Sequence, residues 1–144
     1  MATEPQGNAG FLEEMEIRIW MRDTDPEANT LLLDFEFTQE EIRAAQTLAV
    51  DKWNETPPQV GKHTVTSFPW RWSFLQQVTS NLLRIAAHRY RRNNLTYNIP
   101  GGSVNDQDKA AEYDAAADKL SAEFKEFMTK KKIEINMEQG WGFI

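Results

Sequence analysis

Cysteine is absent from this chain of 144 residues, so neither disulfides nor thiolate metal sites can hold the fold, and apolar packing must. Long apolar runs are missing too. None approaches the roughly 18 residues of a membrane span, and Met1 to Gly10 lacks the basic start and apolar centre of a secretory leader, so the chain is expected to stay in the cytoplasm where it is made, with no membrane partner. Histidine is limited to His63 and His88, whose spacing builds neither HExxH nor a two-histidine-one-carboxylate set, and no metal is expected. The phosphate loop GxxxxGK[ST], the dinucleotide signature GxGxxG and the nucleophile elbow GxSxG do not occur, so no cofactor is expected. The paired carboxylates Glu13-Glu14, Glu40-Glu41 and Asp106/Asp108 sit in an arm or at helix starts, where solvation and the helix dipole explain them better than acid–base work. An enzyme is therefore not the expectation.

What is present points to one folded domain. Forty per cent of the residues are hydrophobic, including five Trp and eight Phe, and the length suits one core rather than two. The net charge is −6, unevenly spread. Residues 1–41 hold eleven acids and two bases, net −9, whereas 42–144 hold eleven acids and fourteen bases, net +3. Between Glu55 and Asp106 there is no acid at all, while Lys62, Arg71, Arg84, Arg89, Arg91 and Arg92 lie inside that window. A basic surface patch on an acidic protein is the reading this supports.

Along the chain, residues 1–14 read as a flexible arm. Met15, Ile17, Ile19 and Met21 alternate with Glu16, Arg18, Trp20 and Arg22, the period of a strand, and after the turn residues 23–29 Leu31, Leu33, Phe35 and Phe37 alternate again, predicting a β-hairpin or extended segment. Thr38 and Glu41 form a capping box for a first helix to about Asn54, with Ile42, Ala45, Ala49 and Trp53 on one face, stopped by Pro57-Pro58. Residues 59–69 form a loop. A second helix after Pro69 carries Leu75, Val78, Leu82, Ile85 and Ala86 to about Asn93, and Asn94 to Gly102 is a projecting loop or short hairpin broken by Pro100-Gly101-Gly102. A third helix from Asp106 to about Lys131 bears Tyr113, Ala117, Leu120, Phe124 and Phe127. From Ile133 the period changes to two, predicting an extended tail over 133–144. The expected fold is thus mainly α: a small bundle of three main helices over 15–132, preceded by an arm and followed by a tail.

Three groups of residues stand out. Arg84, His88, Arg91 and Arg92 share a helical face with Arg89 close by, and suit a phosphate backbone, an acidic partner or a solvated helix end. Phe68, Trp70, Trp72 and Phe74 at a helix entry read as core or subunit-interface anchors before they read as a base-stacking platform. The tail, with Ile133, Ile135, Met137, Trp141, Phe143 and Ile144, needs burial, either on its own domain or in a neighbour.

A series of blocks in a fixed order adds a resemblance over about four-fifths of the chain: Leu31-Leu32-Leu33-Asp34 before Phe37-Thr38-Gln39-Glu40-Glu41-Ile42; Lys52-Trp53-Asn54-Glu55-Thr56-Pro57-Pro58; Phe68-Pro69-Trp70-Arg71-Trp72; Pro100-Gly101-Gly102 before Ser103-Val104-Asn105-Asp106; and Lys130-Lys131-Lys132-Ile133 leading to the aromatic terminus. Together they resemble the head-to-tail connector (adaptor) proteins of tailed bacteriophages. The resemblance implies a virion neck protein, assembled as a homo-oligomeric ring, usually twelvefold, beneath the portal protein. Its tail residues Ile133 to Ile144 would dock on the portal. The loop residues Tyr97, Ile99, Pro100, Gly101 and Gly102, with Trp70 and Trp72, would engage the ring or the next tail or neck protein. Arg84, His88, Arg89, Arg91 and Arg92 would face the channel that passes genomic DNA, or an acidic portal surface. The alternative from the residues alone is a sequence-nonspecific nucleic-acid-binding module using the acid-free window 56–105.

Overall fold

The computed structural model describes residues 12–24, 36–92 and 106–140, with the backbone of 97–99 and 102–104 between them. Its elements are α1 (Glu14–Met21), α2 (Gln39–Glu55), α3 (Arg71–Arg92), β1 (Tyr97–Ile99), β2 (Gly102–Val104) and α4 (Asp106–Glu138). α3 is the central helix: α4 packs along most of it, α2 packs on it from another side, and α1 closes over both α2 and α3. The mainly α expectation holds, as a bundle built chiefly from α2, α3 and α4.

The expected strand over Met15–Arg22 is instead the helix α1, and the predicted hairpin does not form there. The backbone N–H of Glu13 is taken up by the Glu16 carboxylate at 3.4 Å, Arg18 pairs back to Glu14 at 2.8 Å, and Arg22 ends the helix in the left-handed region at φ 61°. The alternating pattern misled because the core takes only part of it: Ile17 is fully buried and Met21 half-buried, while Met15 and Ile19 face outward. Leu31 to Phe35 of the second predicted strand lie outside the described residues. Phe37 is a buried residue one position before the cap of α2.

α2 follows the expectation closely. Thr38 accepts from the Glu41 N–H at 3.1 Å and the Thr38 N–H donates to the Glu41 carboxylate at 2.8 Å, so both ends of the capping box are made. Ile42, Ala45, Ala49 and Trp53 are all buried, joined by Gln46 and Val50. In α3, Phe74, Val78, Leu82 and Ala86 reach the core, with Leu75 and Ile85 half-buried against it. From α4, Phe124 and Met128 complete the cluster, and Trp53, Phe68, Trp70, Phe124 and Phe127 make edge and tilted ring contacts 4.9–6.5 Å apart.

Between α3 and α4 the backbone forms the short antiparallel ribbon, pairing Tyr97 with Val104, Asn98 with Ser103 and Ile99 with Gly102. α4 runs past the expected end near Lys131 to Glu138, so Ile133 to Glu138 is helical rather than an extended tail. The chain offers no breaker before Gly140, which turns at φ 75°, and Ile135 still packs on the core, so the helix continues as far as its buried stripe does. Trp141 to Ile144 lie outside the described residues.

Candidate functional site

The arginines of α3 are placed by helix pairing. Arg84 bonds to Asp118 and Arg91 to Asp114, both on α4, while Arg89 turns the other way, to the Glu41 carboxylate and the Glu36 carbonyl, each at 2.8 Å. Arg71, at the start of α3, pairs with Glu16 of α1. Four of the six cations in the acid-free window therefore have carboxylate partners elsewhere in the chain. The arginines of the expected basic face thus also serve as interhelical ties, and His88, Arg91 and Arg92 are exposed on it. Sequence reasoning counted charges within a local window. The acids that balance them come from α1, α2 and α4.

The aromatic entry of α3 divides. Phe68 and Phe74 are fully buried and Trp70 is half-buried against Trp53 and Phe127, with the Lys131 ammonium 5.7 Å from its ring centre. Trp72 points outward, 59% exposed, and stands edge-on to the half-exposed Trp20 of α1 at 5.4 Å. Met15 and Ile19, on another side of α1, are also more than half exposed. On α4, Ile133 and Met137 are also exposed, Met137 at 68%, while Ile135 turns inward. The contact of Lys131 with Trp70 puts this end of α4 at the end of the bundle where α3 begins. The expected docking residues Ile133 and Met137 are thus available on a helix rather than on an extended strand. Trp141, Phe143 and Ile144 lie outside the described residues, as do the side chains of Tyr97, Ile99, Pro100, Gly101 and Gly102.

A polar seam among α2, α3 and α4 had no counterpart in the sequence reading. The Lys52 ammonium donates to Ser121 Oγ at 2.5 Å and Gln77 Oε1 at 3.3 Å, and Gln77 in turn donates to Asn81 at 2.9 Å. Asn81 donates to the Ala45 carbonyl and Ser80 to the Ala117 carbonyl. Burial, followed by repulsion from Arg84 and then Lys125, pushes the Lys52 pKa below its usual value. The run Gln76-Gln77 with Thr79-Ser80-Asn81, inside an otherwise amphipathic helix, was the available signal.

Among the described residues no cluster of three or more His, Asp or Glu could hold a metal ion, and no helix is long and apolar enough to cross a membrane. Comparison with known proteins returns no matching family model, no matching curated protein and no matching solved structure.

Proposed function

We propose that this chain is a structural subunit of a phage neck ring, a head-to-tail adaptor that docks beneath the portal protein and joins the DNA-filled head to the tail. The observation that carries the reading is the apolar surface left uncovered at Met15, Ile19, Trp20 and Trp72, and again at Ile133 and Met137. Clusters of large apolar side chains on a small soluble domain mark surfaces that another protein covers. Separate clusters suit a subunit that meets different neighbours on different faces, as a ring contact requires. The ordered sequence blocks supply the identity of the assembly, and the apolar residues Trp141 to Ile144 follow Ile133 and Met137 in the sequence.

The test is binding to purified portal protein, followed by mass measurement of the mixture. Deleting Trp141 to Ile144 is expected to leave a folded subunit that no longer joins the portal. The double substitution Trp20→Ser with Trp72→Ser is expected to weaken assembly while leaving the helical content unchanged. Portal binding by both variants at the level of the parent protein refutes the reading. A nucleic-acid-binding role is the weaker reading, because Arg71, Arg84, Arg89 and Arg91 already hold carboxylates. Steep salt dependence of DNA binding by the isolated protein would revive it.

A further inference from the structure

We draw no further inference here: the strongest candidate, the exposed Trp20–Trp72 pair where α1 meets the start of α3, belongs to the apolar surface on which the proposed function already rests, and nothing in the structure shows what covers it.

Discussion

The Lys132 ammonium is seated on the carbonyl end of the helix that carries Trp53. It donates to the Trp53 carbonyl at 2.6 Å and to the Thr56 carbonyl, and lies 4.8 Å from the centre of the Trp53 ring. The last carbonyls of a helix have no partners within it and carry the negative end of its dipole, so a cation from α4 caps α2 across the bundle. The same side chain is 1% exposed. Its pKa is lowered, because burial disfavours the charged form.

Lys132→Met retains an apolar stem but strands two carbonyl oxygens, and is expected to cost about 1–3 kcal/mol. Lys132→Ala also leaves a void beside Trp53 and is expected to cost about 2–5 kcal/mol. Urea unfolding of both variants checks the order. A Met variant as stable as the parent would mean that the cap contributes nothing.

Acid is expected to loosen the loop between α2 and α3 through His63. Its backbone N–H and carbonyl are both held by the Asn54 side chain at 2.9 Å, and its ring stands 5.5–5.9 Å from Trp53, Phe68 and Trp70. Burial lowers the His63 pKa below 6.5. Below that pH the unfolded chain takes up the proton first, so this contribution to stability is present above 6.5 and is lost as pH falls toward the folded-state pKa. Stability measured from pH 7 to pH 5 should fall, and His63→Phe should flatten part of that slope. An NMR titration placing the His63 pKa at or above 6.5 would contradict it.

Alkali acts through Tyr90 with the opposite sign. Burial first, then the Glu36 and Tyr113 side groups, push its pKa up from 10.0 to about 12. Between those values the folded chain keeps a proton that the unfolded chain has released, so stability present below pH 10 is lost as pH rises toward 12. Tyr90→Phe should remove this part of the alkaline decline. Absorbance titration of tyrosinate should show a tyrosine ionising at about pH 12, absent in the variant.

The legible parts of the fold were those written in local chemistry. The capping box at Thr38 and Glu41, the stop at Pro57-Pro58 and the apolar stripes of α2 and α3 each act within one or two turns, and each was readable. Two misreadings share a cause. Met15 to Met21 and Ile133 to Met137 both alternate apolar and polar residues, yet both are helices with alternate apolar side chains left outside. Alternation reveals a strand only when one face is buried, and here the apolar residues at 15, 19, 133 and 137 are not. The arginines of α3 were legible as charge but not as pairs, since Asp114, Asp118 and Glu41 reach them only through the fold.

The segment misread as a hairpin is held by one carboxylate, and this makes the remaining prediction. Asp23 accepts from Arg18 at 2.9 Å, and from the backbone N–H groups of Glu36 at 2.8 Å and Phe37 at 3.0 Å. It ties the end of α1 to the entry of α2, with the Arg18 guanidinium buried beside it. Removing Asp23 leaves the Arg18 guanidinium its pairing with Glu14 but strands the backbone N–H groups of Glu36 and Phe37, at a cost of about 1–3 kcal/mol. Asp23→Ala is therefore expected to fall in that range. Asp23→Asn, which keeps one acceptor oxygen for the backbone donors, should cost less. Because the tie acts on α1, limited proteolysis of Asp23→Ala should cut near residues 12–24 well before it cuts α2, α3 or α4. Equal protection of all four helices in that variant would show that α1 is held by its packing on α2 and α3, not by this carboxylate.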